Sequence, residues 1–180
     1  MILKTEGDLS ALRNQMARKA TTNGVFDILH VGHIRFLQSI AKIADILIVC
    51  VNSDESVKRL KGEGRPIIPL AERMEILDAL ECVDYVVAFD EDTPCEILAK
   101  IKPDIHVKDS SYANANIPEI EVVKSNGGIV LYLNPLVDHS TTDIIRKIRC
   151  SGSSHVSNPP KTYIENEKLP YDPQMAPDHR

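Results

Sequence analysis

Thr22-Asn23-Gly24-Val25-Phe26-Asp27-Ile28-Leu29-His30-Val31-Gly32-His33 is the stretch that decides how this chain is read, because it puts two imidazoles one helical turn apart, directly after a short strand and a glycine turn. Residues i and i+3 share a helix face, so His30 and His33 reach the same group. Gly32 lets a bulky anion approach the backbone where the helix begins. The arrangement is a phosphate site. Two imidazoles there suit a phosphorus centre that gains negative charge during in-line displacement, since each can donate a hydrogen bond to a developing oxyanion without a covalent intermediate. The alternative, that both histidines only cap and pack, is disfavoured by the Gly24-Val25-Phe26-Asp27 context. Asp27 fixes the turn or orients a ligand on this reading, rather than acting as a base.

Outward from this stretch, short β-branched runs alternate with helical patterns. Ile46 to Val51, Asp84 to Phe89, Ile105 to Val107 and Ile129 to Leu133 read as buried parallel strands. Between them Ile34, Leu37, Ile40 and Ala41 share one helix face, Met74, Leu77 and Leu80 mark a second, and Ile97, Leu98 and Ile101 a third. The alternation predicts an α/β fold, a doubly wound parallel sheet of about five strands with right-handed crossovers. Ligands in that architecture bind beyond the carboxyl ends of the strands, where strand order reverses. The segments 23–32 and 52–69 follow the first and second strands, so both belong on that rim.

The 180 residues fit a single domain with a tail, and 43% hydrophobic content is ample for one core. Residues 1–18 are expected to form an N-terminal helical segment, 19–149 the catalytic unit, and 150–180 a proline-bearing tail that is extended or disordered. No apolar run approaches a membrane span, and Met1 to Glu6 lacks the basic start and apolar stretch of an export signal, so a cytoplasmic protein is expected. A net charge of −5 disfavours binding to a nucleic-acid backbone. Cys50, Cys82, Cys95 and Cys150 show no paired spacing, which argues against a zinc knuckle or a redox dithiol.

Local cations must therefore hold any anionic ligand. Lys58, Arg59, Lys61, Arg65 and Arg73 crowd one central segment, and the run from Lys58 to Pro66 reads as a cationic, glycine-bearing loop able to close on a triphosphate. Arg73 either anchors the same phosphates or pairs with Glu72 or Glu75. Ser140, Thr141 and Thr142 precede a helix pattern with an acidic first turn, where hydroxyls and free amides make a second anion site or a simple cap. Asp54, closing the second strand, suits a ribose hydroxyl, a substrate hydroxyl, a hydrated magnesium ion or a turn.

The segments 23–30, 51–54 and 58–62, the pairs Arg65-Pro66 and Pro69-Leu70, Glu72-Arg73-Met74, Glu91 to Pro94 and Ser140 to Thr142 occur in one order around His30-Val31-Gly32-His33. In this the chain resembles the nucleotidyltransferase superfamily with the His-x-Gly-His signature, and within it the adenylyltransferase domain of ADP-heptose synthesis, over roughly residues 9–148. The resemblance implies a Rossmann-like fold in which ATP and a heptose 1-phosphate give an ADP-sugar and pyrophosphate. Catalysis would fall to His30, His33 and Lys61. Asn23, Gly24, Val25, Phe26, Gly32, Arg73, Ser140, Thr141 and Thr142 would hold the nucleotide. Asp27, Asp54, Lys58, Lys108 and Tyr112 would meet the acceptor. Magnesium would enter with ATP and not through a protein ligand set, and a homodimer is compatible with the family. A companion kinase domain is not seen in the sequence, so the sugar phosphate is expected from elsewhere.

One departure stands out. Where the family shows Lys-Gly-Gly-Asp-Tyr, this chain has Lys108-Asp109-Ser110-Ser111-Tyr112, which loses both glycines and moves the acid. Two competing readings follow: a CTP-dependent cytidylyltransferase acting on glycerol phosphate or another polyol phosphate, and a nucleotide-binding module without turnover. The first is disfavoured because residues 135–140 read Pro-Leu-Val-Asp-His-Ser and not the Arg-Thr-Glu-Gly-Ile-Ser of that family.

Overall fold

Ile46–Asn52 has all seven residues buried, the pattern of a strand covered on both faces, and it lies at the centre of the sheet. The computed structural model describes residues 1–113, 115, 117–134 and 141–151. In chain order the strands are β1 (Ile2–Leu3), β2 (Lys19–Gly24), β3 (Ile46–Asn52), β4 (Tyr85–Phe89), β5 (Ile105–Asp109) and β6 (Ile129–Leu133). The helices are α1 (Glu6–Arg13), α2 (Val31–Ala41), α3 (Asp54–Lys61), α4 (Leu70–Asp78), α5 (Cys95–Ile101), α6 (Glu119–Ser125) and α7 (Thr141–Ser151), with a 3-10 turn at Ser110–Tyr112.

All pairings are parallel, in the order β1-β4-β3-β2-β5-β6. From β2 the chain winds outward through β3 and β4, then returns to place β5 on the other side of β2. Strand order therefore reverses between β2 and β5, which marks the ligand crevice of such sheets. The predicted doubly wound α/β fold is present, with one strand more than the five expected. The extra strand is β1, whose two residues pair with Val86 and Val87. So short a run carries no alternation for a sequence reading to detect.

Two apolar layers hold the sheet. Leu37 and Ile40 of α2 and Met74 and Leu77 of α4 pack with Ala20, Leu47, Val49, Val51 and Val107 on one face. Leu9 and Leu12 of α1 and Ile97 and Ile101 of α5 pack with Ile46, Ile48 and Cys50 on the other. The N-terminal segment thus adds both a strand and a helix to the core. Thr5 and Asp8 form a reciprocal capping box that starts α1. Ser53 caps α3 by accepting from the Ser56 amide at 3.1 Å.

Candidate active site

The carboxyl ends of β2 and β5 open into a cavity of about 430 Å³. Thr22 to Phe26 line one side, Lys108, Asp109, Ser111 and Tyr112 another, with His30, Gly32, His33 and Phe36 of the α2 start between them and Lys61 and Thr141 at the rim. A larger cavity of about 840 Å³ lies under α1 and α4, with Ile2, Leu9, Met74 and Ile97 among its walls. Two of its charged members, Lys100 and Glu6, pair with each other at 2.8 Å, and no histidine lines it. The chemistry belongs to the smaller cavity.

Phe26 turns the chain there with φ +48, a left-handed value that a bulky side chain adopts only under constraint from its surroundings. A Cβ on Gly24 would stand 3.0 Å from the Phe26 ring, so glycine lets that ring fold back over the turn. His30 takes the N-cap position of α2 in extended conformation, and its own side chain makes no capping hydrogen bond. The first turn of α2 is left able to receive an anion. The His30 and His33 rings stack at 3.8 Å between centroids and 24° between planes, and Phe26 packs against His33 at 5.3 Å. Both imidazoles serve one locus, as their spacing predicts. Burial first, then the neighbouring His30 charge, pushes His33 down to about 4. His33 is therefore a neutral ring at pH 7, and its buried Nδ1 has no hydrogen-bond partner.

Asp27, 2% exposed, faces away from the cavity. It accepts from the amides of Ile67 (2.8 Å) and Ile68 (2.8 Å) and from Arg65 Nε (2.5 Å). Burial pushes its carboxyl up, but the Ile68 and Ile67 amides and the Arg65 guanidinium outweigh that and hold it below the usual carboxylate range. Asp27 therefore clamps the segment before α4 onto the His30 turn, the first of the two roles its position suggests.

Arg73 is likewise held within the fold. It is 1% exposed, and its guanidinium donates to the carbonyls of Ile68 (3.0 Å), Val25 (2.5 Å) and Asn52 (2.9 Å) and to Asp54 Oδ1 (2.7 Å). These bonds tie the ends of β2 and β3 to the start of α4 and leave Arg73 out of the cavity wall. Its carboxylate partner is Asp54, not Glu72 or Glu75. Asp54 also accepts from the Leu70 amide at 2.9 Å, so it caps α4 and meets no ligand space. Lys58 pairs with Glu55 at 2.7 Å on the outer surface, away from the cavity. Lys58, Arg59 and Lys61 form the last turn of α3, where a loop was expected, and cationic residues favour that end of a helix. Lys61 alone of the three lines the cavity.

Thr141 opens α7 and donates to the Ile28 carbonyl at 3.3 Å, which brings the second anion motif to the first. Thr142 is exposed and is not part of the cavity wall. Ser140 lies outside the described residues. Lys108 and Tyr112 line the cavity as expected, with the Lys108 ammonium 4.6 Å from the Tyr112 ring centroid. In the altered loop, Asp109 accepts from the Ser111 amide at 2.8 Å and so caps the 3-10 turn itself. Sequence reading missed Phe36 in the wall and Glu119, which grips Lys108 from α6. An acidic residue in a helix's first turn carries no signal beyond favourable helix electrostatics.

A parallel sheet whose reversal point holds stacked histidines over an open helix start, ringed by lysines, defines a nucleotidyltransferase of the α/β kind. The chain belongs to the cytidylyltransferase-like family, which matches residues 21–147. Among its relatives it is similar to the bifunctional protein HldE of Klebsiella pneumoniae, with 52% identity over 141 residues that make up 78% of this chain and 30% of that protein. HldE of Citrobacter koseri is 50% identical over 149 residues, 81% of this chain and 31% of the relative. The chain thus spans about a third of the length of these relatives. The lipopolysaccharide core biosynthesis protein from Thermoplasma volcanium superposes with a TM-score of 0.54 at 29% identity, over 66% of this chain and 96% of that structure.

Proposed function

We propose that the chain transfers an adenylyl group from ATP to a sugar 1-phosphate, a heptose 1-phosphate first among them, giving an ADP-sugar and pyrophosphate. The observation that carries this reading is the stacked His30 and His33 pair at the α2 start, facing Lys61 and Lys108 across one cavity. The likeness to HldE over 78% of this chain, and to the lipopolysaccharide core biosynthesis protein, supports the reading. An acceptor phosphate oxygen attacks the α-phosphorus in line, forming the new P–O bond as the bond to the β-phosphate oxygen breaks and pyrophosphate takes its electron pair. His33, neutral at pH 7, donates a hydrogen bond to the α-phosphate oxygens as their charge grows, together with His30 and the α2 amides. Lys61 neutralises the departing phosphates, and Thr141 closes the cradle.

No group of three His, Cys, Asp or Glu side chains placed to hold a metal occurs among the described residues. A magnesium ion carried on the triphosphate would lower the charge on the leaving pyrophosphate. Dependence on ATP and a sugar phosphate is compatible with a cytoplasmic reaction. No described helix is long and apolar enough to cross a membrane.

Pyrophosphate release, measured with ATP and with CTP against heptose, hexose and polyol phosphates, tests the reading. Release with ATP and a heptose 1-phosphate is expected. Release only with CTP and a polyol phosphate would replace it, and nucleotide binding without release across the panel would leave a binding module.

A further inference from the structure

Lys108 enters the cavity from the end of β5, but its ammonium is held in place. Glu119 Oε1 accepts from it at 2.9 Å and Asn23 Oδ1 at 3.0 Å, while the Tyr112 ring lies 4.6 Å away. Lys108 and Glu119 are 7% and 3% exposed. Asn23 and Tyr112 line the cavity, whereas Glu119 stands behind the wall on α6. A buried ion pair is a poor way to fill space, since apolar side chains of similar volume often stabilise a fold as well or better. The value of this pair must lie in what it does to Lys108.

We propose that Glu119 is a positioning residue for the acceptor: it fixes the Lys108 ammonium beside Tyr112 so that both present one rigid edge to the sugar phosphate. The inference rests on the adenylyltransferase reading above. An ammonium carries three N–H donors. Glu119 and Asn23 engage two, and the third remains for an acceptor oxygen. Lysine's four-carbon stem is flexible, so without the carboxylate the ammonium samples many positions and the edge is lost. His30 and His33 stand on another part of the wall, so the chemical step is spared.

Glu119→Gln keeps the shape and an acceptor oxygen but removes the charge. It is expected to raise KM for the sugar phosphate about tenfold, the order of one charge-assisted contact, with KM for ATP and kcat at saturating acceptor changed by less than about twofold. Lys108→Met should show the same selective rise, and Lys108→Met combined with Glu119→Gln should be no worse than Lys108→Met alone, because Glu119 acts through Lys108. Glu119→Asp, which restores the charge, should recover part of the lost acceptor affinity and serves in place of Glu119→Gln if that variant does not fold. An unchanged acceptor KM in folded Glu119→Gln, an equal loss in both substrates, or effects that multiply in the double variant would overturn the proposal alone. A wild-type chain that releases no pyrophosphate with any sugar phosphate would instead remove the underlying function, and this inference with it.

Discussion

Acidification should unfold this protein through a histidine that never meets the ligand. His106 on β5 is fully buried, its Nδ1 lies 2.8 Å from Thr21 Oγ1, and its Nε2 has no partner. Burial first, then the charge of Lys108, pushes it from 6.5 down to about 3. The unfolded chain then takes up a proton near pH 6.5 that the native ring refuses until about pH 3, so stability falls as pH drops through that window and is unaffected above it. Linkage between those two values gives a loss of about 2 kcal/mol from pH 7 to pH 5, a large share of the roughly 5–15 kcal/mol that holds a domain together. His33 adds a similar but smaller loss, discounted for its contact with solvent in the cavity. Urea denaturation at the two pH values, on the wild type and on His106→Gln, isolates the effect because every other titration is shared. The wild type should lose about 2 kcal/mol more than the variant, whose amide can still bond Thr21. Equal losses would refute the claim that His106 stays neutral in the native core.

His33→Ala should cut pyrophosphate release about a hundred- to a thousandfold, as removal of one aligned donor does elsewhere, with the far-UV spectrum unchanged. Near-normal turnover in that variant would end the proposed mechanism. Arg73→Met should cost about 3–5 kcal/mol in urea unfolding, because it strips Asp54 of its buried partner and leaves three carbonyls unbonded. A stable variant with only a raised KM for ATP would return Arg73 to the phosphates. Asp27→Asn should cost about 1–3 kcal/mol and speed proteolytic cutting between residues 62 and 69, since the clamp on Ile67, Ile68 and Arg65 weakens.

The sheet was legible because β3 to β6 carry apolar, β-branched residues separated by helical spacing, and the burial of β3 on both faces writes itself into composition, whereas the edge strand β6 is only partly covered. The two-residue β1 escaped because its pairing is decided by β4, not by its own sequence. In the site, spacing foretold geometry: His30 at the N-cap and His33 in the first turn of α2 stack their rings. Charge alone leaves the use of a residue open. Arg73, Asp54 and Asp27 carry the residue types of a phosphate and sugar site, yet each spends its polar atoms on backbone groups that a turn or helix start leaves unbonded. Sequence shows that a charge exists but not whether the fold has already consumed it.

Those internal bonds are nevertheless what makes the site possible. In-line transfer relies on donors held where charge develops, and a displacement of about 1 Å can cost a hundredfold. The rim of a doubly wound sheet is made of loops, the least rigid part of the fold. Here Arg73 joins the ends of β2 and β3 to the approach of α4, and Asp27 joins that same approach to the turn before α2. Three loops thereby become one block behind the histidines. Lys61 lies beyond the block, exposed at the end of α3 and followed by Gly62 at φ +92, where only glycine is at ease. On the proposed mechanism, the braced part of the site is the part assigned to the reacting phosphorus, and Lys61, outside those bonds, is the cation assigned to the departing pyrophosphate.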